Sequence, residues 1–163
     1  MPTIVVIEDH YPNARMADKL LTRAGYDVLV AEDGEIGLTT VFENEIDLIL
    51  IDLGLPDIDG QTVIGLIRQH ERLQTIPIIA FTAWPEDEAH DMAERYGCDG
   101  VITKPINTRL FASQITEFLA IATANQAATD ENQAPTKIEN SQDVSNDTPD
   151  TASLDSNKTN PVD

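Results

Sequence analysis

The chain has 163 residues, of which 29 are acidic and 10 are basic, and its formal net charge is −19. This charge excludes nucleic acids and anionic membrane surfaces as favoured partners, because their phosphates would repel the chain. No apolar run is long enough to span a membrane, and a single cysteine excludes an internal disulfide framework, so a cytoplasmic location is expected. That cysteine, Cys98, has no obvious metal-binding or nucleophilic partners and is interpreted as a packed thiol.

From the N-terminus, short apolar runs alternate with amphipathic stretches. Thr3–Ile7 is a β-branched run typical of a strand, and Pro12 suits the first turn of a helix that Gly25 closes. Further strands are predicted at residues 27–31, 47–52, 76–82 and 101–103. Further helices are predicted at residues 34–44, 60–70 and 85–97, with a last one that begins at Asn107 or Thr108 and buries Phe111, Ile115 and Phe118.

Five strands that alternate with five helices predict an α/β fold, a doubly wound parallel sheet with helices on both faces. Residues 1–122 are expected to form this domain. Residues 123–163 contain no aromatic residue and are rich in Asn, Asp, Ser, Thr, Gln and Ala. Such a segment buries too little apolar area to offset its ordering entropy, so a disordered, acidic and polar tail is expected there.

Four of the predicted strands end in polar or charged side chains. These are Glu8 and Asp9 after the first strand, Asp52 on the third, Thr82 on the fourth and Lys104 after the fifth. Ligands of open parallel sheets bind beyond the carboxyl ends of the strands, so these side chains should converge on one rim. Three crowded carboxylates repel one another, a divalent cation would relieve that repulsion, and oxygen ligands favour Mg²⁺ over zinc.

An ammonium group and a hydroxyl group beside a metal form a site for the equatorial oxygens of a phosphoryl group. Asp52 would then be the nucleophile, because carboxylates accept phosphoryl groups as acyl phosphates. The simpler interpretation of Asp52 is an ordinary strand-end aspartate that caps the next loop.

The chain from about Thr3 to Leu119 resembles the receiver domain of bacterial two-component response regulators, the family of the chemotaxis regulator. The matching motifs are 6–9 (Val-Ile-Glu-Asp), 47–60 with its Leu-Pro-Asp loop, 80–83 (Ala-Phe-Thr-Ala) and 103–105 (Thr-Lys-Pro). Each motif is weak alone, but their combination at these spacings is specific. Residues 97–106 are also similar to single-domain regulators of the cell-cycle and pilus-motility type.

The resemblance implies a flavodoxin-like sheet with strand order 2-1-3-4-5. It implies that Asp52 takes a phosphoryl group from a phosphohistidine on a sensor histidine kinase or a phosphotransfer protein. Asp9 and Asp52 would bind Mg²⁺ directly, Gly54 would offer its main-chain carbonyl, and Glu8 would act mostly through a metal-bound water.

The resemblance also implies that Lys104 pairs with the phosphoryl oxygens and that the Lys104–Pro105 bond is cis, which proline makes affordable. Thr82 would move toward the phosphate and couple it to a face formed by the fourth helix, fifth strand and fifth helix. The protein is thus expected to be a signalling switch that binds a downstream protein, not an enzyme, and that catalyses only its own phosphorylation and dephosphorylation.

One position departs from the family, which usually has Tyr or Phe three residues before the lysine. This chain has Val101, so an aromatic switch cannot operate there as usual. We expect the output surface to respond through Thr82 and backbone shifts alone, or Trp84 to substitute as a partly exposed aromatic. The alternative is that Trp84 merely packs on its loop.

Two other functional classes compete with the phospho-accepting switch. A receiver-shaped module that binds proteins without phosphorylation is kept open by Val101, although the intact acids, threonine and lysine argue against it. An aspartyl phosphatase would need a second aspartate two residues after Asp52, where this chain has Gly54. Among nearby polar residues, Asp57 and Asp59 are explained by turn chemistry, and His10 is expected to be a solvated loop residue.

Overall fold

The computed structural model describes residues 1–131, in which five strands alternate with five α-helices. The strands are β1 (Thr3–Ile7), β2 (Asp27–Ala31), β3 (Leu48–Asp52), β4 (Ile78–Thr82) and β5 (Gly100–Thr103). The helices are α1 (Tyr11–Arg23), α2 (Gly34–Glu43), α3 (Gly60–Gln69), α4 (Glu86–Tyr96) and α5 (Phe111–Glu131). A short 3-10 helix, Glu71–Leu73, lies between α3 and β4 and was not predicted.

All neighbouring strands pair in parallel, in the order β2-β1-β3-β4-β5. This arrangement confirms the predicted doubly wound sheet. Strand β3 lies at its centre, and every residue of that strand is buried. A strand covered on both faces has no solvent side, which explains why its sequence is an unbroken apolar run that ends at Asp52.

Two apolar layers hold the helices to the sheet. Side chains from alternate positions of β3 enter opposite layers, as Ile49 and Leu50 illustrate. One layer receives buried residues of α2, α3 and α4, namely Val41, Val63, Ile64, Ile67 and Ala93. The other receives buried residues of α1 and α5, namely Ala17, Leu21, Phe111 and Ile115. Both faces of the sheet are therefore covered, and the strand ends are left to form sites.

The predicted helix ends at glycine are confirmed. Gly97 follows α4 with a φ of 83°, and Gly25 follows α1 with a φ of 98°. Both angles lie in the left-handed region, which glycine enters without a side-chain penalty.

The last helix differs from the prediction in both its start and its length. Asn107 accepts a hydrogen bond from the Arg109 amide in a turn that precedes Phe111, where α5 begins. The helix continues to Glu131, so residues 123–131 are helical, and the predicted onset of disorder at residue 123 is wrong for them. Alanine and glutamine propagate an already nucleated helix well, which accounts for the extension. The rest of the predicted tail, residues 132–163, lies outside the described residues.

Within residues 1–131, none of the helices combines the length and the apolar character that a bilayer crossing requires.

Candidate functional site

The register of the sheet brings the predicted site residues to one edge. Ile7 is the register partner of Ile51, so Glu8 and Asp9 leave β1 beside Asp52, the last residue of β3. On the other side, Thr82 ends β4 and pairs with Thr103, the residue before Lys104. The four segments that the sequence predicts to converge therefore do so.

Three carboxylates form the centre of this edge. Glu8, Asp9 and Asp52 each offer an oxygen atom, and these atoms all lie within 4.8 Å of one another. Glu8 and Asp52 are buried, whereas Asp9 is exposed to solvent. The cluster is therefore open on one side and enclosed on the other, as a site needs to be if it takes a ligand from solution.

Glu8 is the most enclosed member of the cluster, with 1% of its surface exposed. Its Oε1 accepts a hydrogen bond of 3.0 Å from the His10 amide, whereas its Oε2 is buried without an aligned hydrogen bond. The Lys104 ammonium lies 2.5 Å from Oε2, so this oxygen is held in an ion pair. Burial raises the pKa of Glu8, the Lys104 and His10 contacts partly oppose that rise, and the charge of Asp52 adds to it.

Lys104 is the single cation that contacts these acids among the described residues. Its Nζ lies 3.3 Å from Oδ2 of Asp52 and 4.6 Å from the centre of the Phe81 ring. The Lys104 amide donates to the Thr82 carbonyl at 2.7 Å, which fixes the backbone where the chain leaves β5. The following bond, to Pro105, is cis. One ammonium group therefore pairs with two of the three clustered carboxylates, and the site keeps an excess of negative charge.

The Asp52 carboxylate and the Thr82 hydroxyl group each accept a hydrogen bond from a main-chain amide two residues further on. Asp52 Oδ1 accepts from the Gly54 amide at 2.9 Å, and Thr82 Oγ1 accepts from the Trp84 amide at 3.1 Å. Trp84 itself is 37% exposed, which confirms the expectation of a partly exposed tryptophan. Any movement of the Thr82 hydroxyl group would break a bond to the Trp84 backbone.

The residues present fit a hard divalent cation. The donor set consists of oxygen atoms only, and one oxygen from each of the three carboxylates lies within 4.8 Å of the other two. Gly54 is exposed, and a β-carbon built on it would lie 3.6 Å from Asp52 Oδ1, so the loop backbone runs directly beside the carboxylate. Such a set matches the ligands that Mg²⁺ takes in proteins.

Residues next to the site behave as the sequence suggests, with one exception. His10 is exposed, and Asp59 caps α3 by accepting from the Thr62 amide at 2.9 Å. Turn chemistry accounts for only part of the contacts of Asp57, because its carboxylate also reaches the first turn of α2. No local pattern could have indicated this contact, because it joins segments more than 20 residues apart.

Val101 and Cys98 pack against the same apolar layer. Both are partly buried side chains that contact the core on the α2–α3–α4 side of the sheet. Val101 therefore fills an inner position of β5, without an aromatic ring that could rotate. Burial raises the pKa of the Cys98 thiol to about 12, which agrees with the prediction of a packed, unreactive cysteine.

The sheet order and the carboxylate cluster with its lysine define a receiver-type signalling domain. Residues 4–116 match the response regulator receiver domain, and the chain belongs to this family. It is 30% identical over 120 residues to the polar-differentiation response regulator DivK of Brucella ovis, and the alignment covers 74% of this chain and 98% of that protein.

Solved structures agree with this assignment. A response regulator from Chloroflexus aurantiacus superposes with a TM-score of 0.70 at 30% identity, covering 74% of this chain and 99% of that chain. The chemotaxis response regulator CheY4 of Vibrio cholerae has the same fold, with a TM-score of 0.69 at 23% identity over 72% of this chain and 98% of that one. Receiver domains are signalling switches that generally bind Mg²⁺ through acidic residues and interact with histidine kinases or phosphotransfer proteins and with downstream targets.

Proposed function

We propose that this protein is a phospho-accepting response regulator whose acceptor is Asp52. The observation that carries the proposal is the convergence of Asp52 with two further carboxylates and the Lys104 ammonium at one sheet edge. The donor would be a phosphohistidine on a sensor histidine kinase or a phosphotransfer protein in the cytoplasm. An oxygen of Asp52 attacks phosphorus, the P–N bond breaks with its electron pair returning to the imidazole, and an acyl phosphate forms.

The metal ligands would be Asp9, Asp52 and the main-chain carbonyl of Gly54, with Glu8 acting mostly through a metal-bound water. When bound, Mg²⁺ neutralises negative charge that would otherwise repel the incoming phosphoryl group. The Gly54 amide already fixes one oxygen of Asp52, which orients the carboxylate without the metal.

Lys104 would exchange an existing partner for a new one. In this structure its ammonium group lies closer to Glu8, at 2.5 Å, than to Asp52, at 3.3 Å. A phosphoryl group on Asp52 adds anionic oxygens next to Nζ, so the ammonium is drawn from Glu8 toward them. The Phe81 ring, whose centre lies 4.6 Å from the ammonium, supports the cation in its present position.

Thr82 would carry the signal to a protein-binding face made of α4, β5 and α5. A hydrogen bond from its hydroxyl group to the phosphoryl oxygens would replace the bond from the Trp84 amide. The segment between β4 and α4 would then be released, which is a two-state change biased by new charge. With valine at position 101, Trp84 is the aromatic residue that such a change would move.

Intact-mass measurement after incubation with Mg²⁺ and acetyl phosphate tests the proposal. The parent chain should gain one phosphoryl group, and Asp52→Asn should gain none. Asp27→Asn is a matched control, because Asp27 is an exposed aspartate at the start of β2, at the opposite edge of the sheet, and it should react as the parent does. A parent chain that stays unmodified would favour the alternative, a receiver-like module that binds proteins without phosphorylation.

A further inference from the structure

The loop after Asp52, residues 53–59, is attached to another part of the chain. The carboxylate of Asp57 accepts hydrogen bonds from the amides of Gly34 and Glu35, both at 2.9 Å. These two amides belong to the first turn of α2, so the loop is joined to a helix N-terminus. The first amides of a helix have no partner inside the helix and favour a negative charge, which makes the contact favourable.

Helix α2 also has a cap of its own. Asp33, its N-cap residue, accepts from the Ile36 amide at 2.8 Å. A single N-cap residue of this kind is the usual device for starting a helix. The second carboxylate, that of Asp57, comes from a different segment. Besides capping the helix, it therefore fixes the position of the loop.

Close packing confirms that the loop and the helix are held against each other. A β-carbon built on Gly34 would lie 3.2 Å from Cβ of Ile58 and 3.3 Å from Oδ1 of Asp57. The hydrogen bonds from α2 also lower the pKa of Asp57, with the Gly34 amide as the largest cause, so the carboxylate stays charged near neutral pH. The contact between the loop and the helix thus combines packing with two charge-assisted hydrogen bonds.

The loop is too short to absorb a shift at Asp57 before it reaches the site. Only Leu55 and Pro56 separate Asp57 from Gly54, and the Leu55 side chain is buried. At the near end, the Gly54 amide holds Asp52 Oδ1. A displacement of Asp57 therefore moves the backbone that orients the acceptor carboxylate.

We propose that Asp57 is a positioning residue for the phosphorylation site, which it serves by anchoring the loop after Asp52 to the first turn of α2. The inference rests on the proposed function, because it concerns the geometry of the same acceptor and of the Gly54 carbonyl. Asp57 does not touch the acceptor, and it acts through the backbone of residues 54–56.

The test compares Asp57→Ala with Asp33→Ala in the full chain. Both substitutions remove a carboxylate cap from α2, but only the first frees the loop. We expect both to lower the midpoint of urea unfolding. Titration with Mg²⁺ alone should show the dissociation constant rising about tenfold for Asp57→Ala and less than about twofold for Asp33→Ala. Hydrogen exchange of the 53–59 amides, measured without metal, should accelerate only in Asp57→Ala.

Equal changes in Mg²⁺ affinity for the two variants, or unchanged loop exchange in Asp57→Ala, would overturn the inference. If Asp57→Ala does not fold, Asp57→Asn and Asp33→Asn make the same comparison, since each amide retains one acceptor oxygen. Failure of the parent chain to bind Mg²⁺ or to accept a phosphoryl group would instead contradict the proposed function. The metal-free exchange measurement decides the role of Asp57 in that case as well.

Discussion

Among residues 1–131, one largely enclosed cation lies at each end of the parallel strands, and the two cations have different surroundings. Near the start of β4 and β5, Arg68 is surrounded by oxygen acceptors, most of which are main-chain carbonyls. They are the carbonyls of Leu73, Gln74, Ile76 and Gly97 and the carboxylate of Asp99, at 2.6 to 3.3 Å. At the ends of the same strands, Lys104 contacts two of three clustered carboxylates, those of Glu8 and Asp52.

This difference separates charges that are paired within the fold from charges that remain in excess. Asp99 accepts from both Arg68 and the Ile78 amide, so its charge is balanced within the fold. Glu8 shares its one cation, Lys104, with Asp52, and Asp9 adds a third carboxylate to the same cluster. Balanced charges stabilise the native state, whereas the excess of negative charge at the other edge leaves free energy that a cation can recover on binding.

The largest effect on stability is expected from Arg68→Ala. The change leaves several carbonyls and the Asp99 carboxylate without their donor, so the free energy of unfolding in urea should fall by about 3 kcal/mol. The exposed Arg15 on α1 provides the control, and Arg15→Ala should change stability by less than about 0.5 kcal/mol. A similar loss for both arginines would mean that the Arg68 contacts add little.

Two matched acid-to-amide changes are expected to differ in their effect on stability, and only one of them should be destabilising. Without Mg²⁺, Asp99→Asn should lower the free energy of unfolding by about 1 kcal/mol, because a partly exposed ion pair is lost. Asp52→Asn should leave it unchanged or raise it by up to about 1 kcal/mol, since one of three clustered charges disappears while an oxygen remains for the Gly54 amide. Urea unfolding of both variants measures this, and a loss at both positions would contradict the contrast.

The sequence predicts the functional edge better than the structural one. Glu8, Asp9, Asp52, Thr82 and Lys104 all follow apolar strands, and parallel strands bring their carboxyl ends together whatever the details of the loops. Arg68 gives no such signal, because its partners are main-chain carbonyls up to 29 residues away in the chain. The role of Asp57 was missed for the same reason.

The extent of the last helix was also beyond the sequence-based interpretation. Composition marks residues 123–131 as poor in large apolar side chains, and that observation led to the predicted tail. Helix propagation needs no burial once a packed segment such as Phe111–Phe118 has nucleated it. Composition therefore predicts where packing stops, not where the helix ends.

A smaller effect on stability is expected from pH. It comes from acids near the carboxyl ends of the strands that accept hydrogen bonds, and not from the three crowded carboxylates of the site. Hydrogen bonds from the Gly34 amide and from Thr62 lower the pKa values of Asp57 and Asp59, respectively. Their folded pKa values lie below the unfolded value of about 4, so their contribution to stability is present above that pH and is lost as the pH falls further. The double variant Asp57→Asn/Asp59→Asn should lose less stability than the parent on acidification below about pH 4. Parallel stability curves would contradict this assignment.

The smallest expected effect concerns Cys98, which lies beside the Arg68 and Asp99 pair. Burial raises the pKa of its thiol to about 12, so little thiolate exists in the folded protein near neutral pH. Iodoacetamide should therefore alkylate the native protein slowly and the urea-unfolded protein many times faster, as mass spectrometry can follow. Equal rates in the two states would show that the thiol is not protected by the fold.

The most direct test of the contrast between the carboxylate cluster and the paired Asp99 is the stability gained on adding Mg²⁺. Urea unfolding of the parent, Asp9→Asn and Asp99→Asn measures this gain. At a hundredfold excess over the dissociation constant, the metal should raise the free energy of unfolding of the parent by about 2.7 kcal/mol. Asp99→Asn should keep this gain, because Asp99 is paired with Arg68 and lies away from the carboxylate cluster, and Asp9→Asn should lose most of it. No gain in the parent, or a gain that disappears with Asp99 and not with Asp9, would contradict the account.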